Sequence, residues 1–245
     1  MAAPPRTYVS RGGDKLAPAL ATFGVDPDGR RCLDAGASTG GFTDCLLRHG
    51  AAHVVACDVG YGQLHERLRT DQRVSVLERT NVRELTPDDV PGPPPDLIVA
   101  DLSFISLRTV LPALRGVAAD TAEAVVLVKP QFEADRGQVG KGGVVRDPEV
   151  WRLCLERVAD TAAALGWRTA DAVASELRGP AGNTEFLLHL VAEPDRAAGP
   201  ADPDDAGGGT RGDSGQDGRR AIARAVERAR RRTAGGTLAP EEVAG

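Results

Sequence analysis

The sequence predicts an α/β fold with a seven-stranded, mostly parallel sheet that ends in an antiparallel C-terminal hairpin. Short apolar runs rich in β-branched residues alternate with helical patterns, which is typical of a parallel sheet covered on both faces. The last two runs are joined by ASELRGPAGNTE, which is too short for a crossover helix and therefore predicts an antiparallel pair at the sheet edge. Hydrophobic residues make up 41% of the 245-residue chain, enough for a substantial core.

The elements are predicted from these runs in chain order. The seven apolar runs predict strands at Arg31–Gly36, His53–Asp58, Val74–Glu78, Asp96–Asp101, Glu123–Lys129, Arg168–Val173 and Thr184–Val191. The intervening segments predict helices at Asp14–Phe23, Gly41–His49, Gly62–Thr70, Ser106–Arg115 and Pro148–Leu165.

Composition narrows the class of protein. The formal net charge of -5 gives no overall sign of nucleic-acid binding, although it leaves room for a local basic face. Four cysteines without C-x-x-C pairing or a suitably spaced histidine predict neither a metal site nor a disulfide framework. No segment has the length of apolar sequence that a membrane span needs. We therefore expect a soluble cytoplasmic protein with no metal and no membrane partner.

Lysine is rare in this chain. Only Lys15, Lys129 and Lys141 are lysines, and the other 27 basic residues are arginines. Lysine offers a compact amine whose pKa changes readily on burial, so the few lysines are candidates for chemistry. Codon usage that removed most lysines explains the same count equally well.

A glycine-rich segment, CLDAGASTGGFTD, follows the first predicted strand and opens a helix. Gly36, Gly40 and Gly41 let the backbone turn tightly and approach a ligand closely. Asp58 ends the next strand, about twenty residues further on, where it is positioned to accept hydrogen bonds from a ribose diol. NAD and S-adenosylmethionine both remain possible on this basis, and the D-x-G-x-x-x-G-G spacing favours S-adenosylmethionine.

The predicted cofactor contacts follow from this placement. Asp34 would lie near the methionine ammonium, and Asn81 with Val82 would border the adenine. The full predicted set is Asp34, Gly36, Ala37, Ser38, Thr39, Gly40, Gly41, Phe42, Asp58, Asn81, Val82 and Asp101.

Four charged residues are predicted to meet at the ligand-bearing edge of the sheet. Asp101 and Lys129 end the fourth and fifth strands, where open α/β sheets bind ligands. Glu185 lies at the start of the seventh strand and Lys15 in a helix that precedes the sheet. Each residue alone is more often an ordinary surface charge.

The sequence from Tyr8 to about Val191 resembles the TlyA-type proteins, historically called hemolysins, among the FtsJ-like ribosomal RNA 2'-O-methyltransferases. The matching segments are YVSRGGDKL, CLDAGASTGGFTDCLL, DVGYGQL, ERTNVREL, DLSFISL, KPQFEA, VGKGGVVRDP and GNTEFLLHL. The resemblance implies a Rossmann-like class I methyltransferase fold, S-adenosyl-L-methionine as cofactor and ribosomal RNA or ribosomal subunits as partner.

In that family a Lys-Asp-Lys-Glu tetrad assists methyl transfer to a ribose hydroxyl. The matching positions are Lys15, Asp101, Lys129 and Glu185. A lysine flanked by carboxylates orients the hydroxyl and stabilises developing negative charge, whereas a desolvated neutral lysine acts as general base. We assign the handling of the ribose hydroxyl, by either route, to Lys129. Asp101 and Glu185 are expected to position Lys129, and Lys15 is expected to contact the substrate.

Further side chains are predicted to contact RNA. Tyr61, Phe104 and Phe132 are aromatic residues in loops beside the site, suited to stacking on an extruded nucleotide, although core packing is the commoner role of phenylalanine. Lys141 lies in a glycine-rich loop with cationic neighbours suited to phosphate contacts, or it contacts only solvent. The predicted substrate set is Arg11, Tyr61, Phe104, Phe132, Arg136, Lys141 and Arg146.

Both ends of the chain differ from this central part. Residues 1–7 are predicted to be disordered, 8–192 to form the S-adenosylmethionine-dependent domain, and 193–245 to be a disordered Pro/Gly/Asp-rich tail with a basic helix near 218–233. That helix is interpreted either as a solvated tail or as an RNA contact. Family members usually begin with a small RNA-binding domain that this sequence does not contain, so either the true start lies further upstream or the protein works without that domain.

Two other functions remain open at this point. The scaffold also suits a small-molecule or nucleoside O-methyltransferase. The name hemolysin suggests a membrane-active protein, but the chain has no apolar span and no strongly amphipathic apolar helix.

Overall fold

The computed structural model describes residues 7–193 and 213–235, which contain one sheet in the order β3-β2-β1-β4-β5-β7-β6. The strands β1 to β5 are parallel, while β7 runs antiparallel to both of its neighbours, β5 and β6. The predicted fold class is confirmed. The strand bounds are β1 Arg31–Ala35, β2 His53–Cys57, β3 Val74–Leu77, β4 Leu97–Ala100, β5 Glu123–Val128, β6 Trp167–Ala174 and β7 Phe186–Ala192.

Seven α-helices accompany the sheet in the described ranges. They are α1 Arg11–Phe23, α2 Gly41–Arg48, α3 Glu66–Arg69, α4 Leu107–Val117, α5 Pro130–Glu133, α6 Pro148–Ala164 and α7 Asp213–Gly235. Of the segments predicted to be disordered, 1–6, 194–212 and 236–245 lie outside the described residues.

Hydrophobic side chains cover both faces of the sheet, as expected for a mostly parallel arrangement. On one face, strand residues such as Leu33 and Val55 pack with α4, α6 and α7. On the other, Cys32 and Val54 pack with α1 and α2. Because alternate strand residues point to opposite faces, β1 and β2 contribute to both clusters.

Two helices differ from their predicted bounds for local reasons. α1 begins three residues early because the Ser10 hydroxyl accepts a hydrogen bond from the Gly12 amide and caps the helix. Gly13 is required within this first turn, since a Cβ there would lie 2.2 Å from the Tyr8 ring. The predicted helix at 62–70 shortens to α3, because Gly62 adopts a φ of 68° and His65 caps the helix.

Helix α7 is longer than the predicted basic helix and is not a freely solvated tail. Its apolar side chains are buried in the same cluster as β6 and α6. Gly218 lies so close to β6 that a Cβ there would be 3.0 Å from the Thr169 carbonyl oxygen. The amphipathic spacing that separates its arginines from its alanines accounts for this packing.

The strand order reverses between β1 and β4, and both strands end at the same edge of the sheet. In open α/β sheets, the crevice at such a reversal binds ligands. Among the described helices, none combines the length and the apolar character needed to cross a membrane.

Candidate functional site

The glycine turn after β1 forms the floor of the site. Gly36 has a φ of 87°, and a Cβ there would lie 2.7 Å from the Asp101 carbonyl oxygen. Gly40 has a φ of 93° and directly precedes α2 as its N-cap residue. A larger residue at Gly36 would collide with the Asp101 backbone at the edge of the site, whereas one at Gly40 would collide with the Leu68 side chain.

A cavity of about 490 Å³ lies above this turn, between the loops that follow β1, β2, β3 and β4. Asp58 connects two of these loops, since its carboxylate accepts hydrogen bonds from the Ser38 and Gly60 amides. The predicted cofactor residues that line this cavity are Gly36, Ser38, Asp58, Asn81, Val82 and Asp101.

A second cavity of about 230 Å³ adjoins the first and shares Gly36, Ser38, Asp101 and Ser103 with it. All four charged residues of the predicted tetrad line this smaller cavity. With them are the predicted cofactor residues Ala37, Thr39, Gly41 and Phe42. The structure therefore brings together Lys15, Asp101, Lys129 and Glu185.

The four charges form two ion pairs. The Lys15 ammonium lies 2.7 Å from a Glu185 oxygen, and the Lys129 ammonium lies 2.6 Å from Asp101. Lys129 also donates a hydrogen bond to the Ser103 hydroxyl, 2.9 Å away. The lysine side chains are 9% and 10% exposed, so both are held largely out of water.

This pairing corrects one predicted contact. Glu185 was expected to position Lys129, but its carboxylate is bonded to Lys15. Gly179 packs closely against the same carboxylate, since a Cβ there would lie 2.5 Å from a Glu185 oxygen. Lys129 is held instead by residues of the β4 loop.

Asp34 and Gly40, two predicted cofactor residues, line neither cavity. Asp34 is completely buried, and one carboxylate oxygen accepts a hydrogen bond from the Thr43 hydroxyl. Its other oxygen has no hydrogen-bond partner among the described residues. Burial raises the pKa of Asp34 to about 7, and the negative charges of Asp101 and Asp58 act in the same direction.

Glu133 is a buried residue of the site region that sequence reasoning missed. Its carboxylate accepts hydrogen bonds from the Ser106 hydroxyl and the Leu107 amide, both at 2.6 Å, and pairs with Arg108. Burial raises the pKa of Glu133, whereas these donors lower it. Glu133 therefore links the segment that follows Lys129 to the start of α4. The loop that contains Asp101 leads directly into that helix. Only its presence in KPQFEA could have indicated it.

Asn183 was missed as well, and it holds the glycine-rich loop that contains Lys141. Its side-chain oxygen accepts a hydrogen bond from the Val145 amide, and its side-chain nitrogen donates one to the Gly143 carbonyl. Asn183 is two residues from Glu185. The segment that positions Glu185 beside Lys15 therefore also holds the glycine-rich loop in place.

Of the three predicted aromatic contacts, Phe104 lines the larger cavity, whereas Tyr61 and Phe132 line neither cavity. Phe104 is 91% exposed and has a φ of 65°, an uncommon conformation for a large residue. Its ring centroid lies 5.3 Å from that of Phe132. Tyr61 is exposed beneath the Arg79 guanidinium, 4.3 Å from its ring centroid.

The predicted cationic contacts are all exposed, but none lines either cavity. Arg11 lies in the first turn of α1 and donates a hydrogen bond to the Arg178 carbonyl. Arg136, Lys141 and Arg146 lie on the surface of the loops that follow α5.

Comparison with known proteins agrees with this geometry. Residues 8–192 match the FtsJ-like methyltransferase family. The 16S/23S rRNA (cytidine-2'-O)-methyltransferase TlyA of Mycobacterium tuberculosis is 59% identical over 192 residues, which are 78% of this chain and 71% of that protein. Hemolysin A of Brachyspira hyodysenteriae is 41% identical over 75% of this chain and 77% of its own length.

A solved structure of a candidate hemolysin from Streptococcus thermophilus superposes with a TM-score of 0.80 at 37% identity. That match covers 95% of this chain and 79% of the other. With the family match over 8–192, these relatives confirm the predicted resemblance, and the chain belongs to the FtsJ-like methyltransferase family.

Proposed function

We propose that this protein transfers a methyl group from S-adenosyl-L-methionine to a ribose 2'-hydroxyl of ribosomal RNA. The observation that carries the proposal is the position of the two ion pairs. They line a small cavity that opens into a larger one of a size suited to a nucleoside cofactor. The names of the relatives support the substrate, since TlyA of M. tuberculosis acts on the cytidine 2'-oxygen of 16S and 23S rRNA.

The residues around the larger cavity fit S-adenosylmethionine. Gly36 leaves room for close approach of the cofactor, and Asp58 directly follows β2, where a carboxylate can accept hydrogen bonds from a ribose diol. Asn81 and Val82 border the opposite side, suited to the adenine. The proposed cofactor contacts remain Asp34, Gly36, Ala37, Ser38, Thr39, Gly40, Gly41, Phe42, Asp58, Asn81, Val82 and Asp101, of which Asp34 would act from beneath the turn.

The proposed chemistry requires little from the protein beyond placement and proton handling. The bound cofactor supplies an electrophilic sulfonium methyl group. Lys129, paired with Asp101, orients the ribose hydroxyl and stabilises the negative charge that develops on its oxygen. With the cofactor bound, the 2'-oxygen would take the methyl group from sulfur, and the Lys129–Asp101 pair would receive the hydroxyl proton. Holding the oxygen in line contributes much of the acceleration.

Lys15 and Glu185 also line the small cavity. Glu185 holds the Lys15 ammonium in place, and we assign Lys15 to contact with the substrate. The catalytic set is therefore Lys15, Asp101, Lys129 and Glu185.

The aromatic side chains are assigned to base stacking. An extruded nucleotide needs a flat apolar surface, and base–aromatic stacking stabilises it by about 1 to 3 kcal/mol. The exposure of Phe104 and its left-handed backbone support this role, with Phe132 as its neighbour and Tyr61 as an exposed ring on the loop that follows β2. Arg11, Arg136, Lys141 and Arg146 are assigned to phosphate contacts. With ribosomal RNA as substrate, we also assign the protein to the cytoplasm.

Purified full-length protein incubated with methyl-labelled cofactor and separated ribosomal subunits tests this function. We expect label on a ribose 2'-oxygen of ribosomal RNA. Label on free nucleosides but not on subunits would instead support a small-molecule O-methyltransferase.

Lys129→Ala tests the assigned chemistry in the same assay. Because the variant loses the group that orients the hydroxyl, we expect turnover to fall by at least about a hundredfold while cofactor affinity stays largely unchanged. Arg152→Ala, at a half-buried position on α6 that lines neither cavity, is a control for handling and expression. Undiminished turnover in Lys129→Ala would remove that residue from the chemistry.

A further inference from the structure

Helix α7 is fixed to the body of the protein through one face. Ala221, Ile222, Ala225, Val226 and Ala229 are buried in the cluster that includes β6 and α6. The helix lies outside the residues that match the FtsJ-like family, which end at 192. Its outer face therefore carries features of this chain that the family match does not describe.

That outer face is strongly basic. Between Arg219 and Arg232 the helix has seven arginines and one acidic residue, Glu227, a formal charge of +6 in a chain whose net charge is -5. All seven arginines are exposed. Such a concentration on an acidic protein attracts polyanions locally while the rest of the surface repels them.

The arginine side chains project from the helix on both sides of its buried face. With a rotation of about 100° per residue, Arg228 and Arg232 lie one turn apart on one side of the buried face, and Arg219 and Arg230 lie on the other. Arg219 lies 3.7 Å from Asp160 of α6, so its side faces α6. Arg228 and Arg232 border a narrow groove between α7, β6 and α1.

This groove leads to the proposed methyl-transfer site. Lys15 lines both the groove and the small cavity that holds the two ion pairs. Arg178 lies between the end of α7 and the first turn of α1, because it donates a hydrogen bond to Thr233 and accepts one from Arg11 through its carbonyl. Arg11, Arg178, Arg228 and Arg232 are called the arginine rim below.

The rim retains free positive charge. Among the residues that the structure describes, no carboxylate lies within 4.0 Å of the guanidinium groups of Arg11, Arg178 or Arg228. Arg232 has one acidic neighbour, Glu176, at 3.6 Å. A planar guanidinium with several donors suits phosphate oxygens, and paired exposed charges exchange partners at little cost.

We propose that the arginine rim binds the backbone phosphates of the RNA strand that enters the methyl-transfer site. The proposal rests on the proposed function for the identity of the polyanion. Its position favours RNA over an acidic protein, since a strand whose ribose reaches Lys15 must pass its neighbouring phosphates across this groove. Phosphate contacts of this kind set register and orientation without reading sequence.

The test compares two double variants of the full-length protein, each of which removes two charges from α7. Arg228→Gln/Arg232→Gln removes the rim side, and Arg219→Gln/Arg230→Gln is the matched control on the opposite side. Binding of a labelled ribosomal RNA stem-loop is titrated over a range of salt concentrations, and methylation of ribosomal subunits is measured in parallel.

We expect the rim variant to weaken RNA binding and to reduce the slope of log K against log salt by about 1 to 2, with the control close to wild type. In the methylation assay its KM for RNA should rise while kcat and cofactor affinity stay unchanged. Equal effects on RNA binding in the two variants, or no effect in either, would overturn the proposal that the arginine rim binds RNA. Absence of RNA methylation in wild type would count against the proposed function alone, because the binding comparison does not depend on turnover.

Discussion

Asp34 carries a large electrostatic cost because it is a fully buried carboxylate with one hydrogen-bonded oxygen. Burial is the main reason that its pKa is raised to about 7. An aspartate in the unfolded chain titrates near 3.9, so the folded protein binds the proton more tightly. The free energy of unfolding therefore falls as the pH rises from about 4 to about 7, and stays reduced above that range.

Asp34→Asn removes this cost while keeping an oxygen for the Thr43 hydroxyl. We expect the variant to be more stable than wild type by on the order of 2 kcal/mol at pH 8, with the difference vanishing near pH 4. Urea denaturation at several pH values measures it, with the exposed Asp120→Asn as control. A variant that is less stable than wild type at pH 8 would show that ionised Asp34 contributes to the fold.

The sequence could predict which charges meet but not how they pair. Asp101 and Lys129 end adjacent parallel strands, so the topology alone brings them to one edge. The Glu185–Lys15 pair joins residues 170 positions apart in the sequence, and no periodic signal indicates such a contact. Glu133 was equally hidden, since a single glutamate in a loop is most often a solvated charge.

At the scale of elements, the strands could be predicted within two residues because buried apolar runs have few alternatives. The irregular connections could not. Helix α5 has only four residues after Lys129, too few for a helical period to be visible. α7 could be predicted as a helix, but its attachment depends on the edge strand β6 being available to cover.

The loops that carry Asp101 and Lys129 are joined through Glu133. Its carboxylate bonds both Ser106 and Leu107 at the start of α4, and it lies four residues after Lys129. Removing the charge loosens the relative placement of these two loops, and small misplacements of reacting groups slow catalysis strongly.

Glu133→Gln is expected to lower kcat by roughly tenfold at a temperature well below its melting point, since the amide cannot accept from all of the donors. The matched control is Glu156→Gln, which removes a carboxylate paired with Arg152 on the surface of α6. If Glu133→Gln lost stability with kcat intact, its role would be limited to holding α4.

At the scale of the whole molecule, the carboxyl ends and the amino ends of the sheet's strands have different roles. The carboxyl ends of the strands carry the cavities and the ion pairs of the proposed reaction. The amino ends carry a separate network, in which Arg30 pairs with Asp96 at 2.9 Å and with Glu123 at 2.8 Å. Glu123 in turn bonds His189 at 2.6 Å, so one cluster links β1, β4, β5 and β7.

This network is coupled to pH in a defined direction. Burial lowers the pKa of His189, although Glu123 opposes the shift. Since the unfolded histidine titrates near 6.5 and the folded one below that, stability is lost as the pH falls through 6.5. The pKa of Glu123 is lowered by its bonds to His189 and Arg30, which outweigh its burial, so that contribution is lost only at more acidic pH.

The variant Arg30→Ala tests whether the network at the amino ends of the strands acts independently of the proposed site at their carboxyl ends. The variant leaves Glu123 partly buried without its main cation, so we expect a loss of roughly 2 kcal/mol in the free energy of unfolding, measured by urea denaturation at pH 7. Because Arg30 lies at the far edge from both cavities, kcat at a permissive temperature should stay at the wild-type value. Lys129→Ala should give the reverse pattern, with turnover lost and stability kept. A fall in kcat for folded Arg30→Ala would show that the amino edge also controls the geometry of the site.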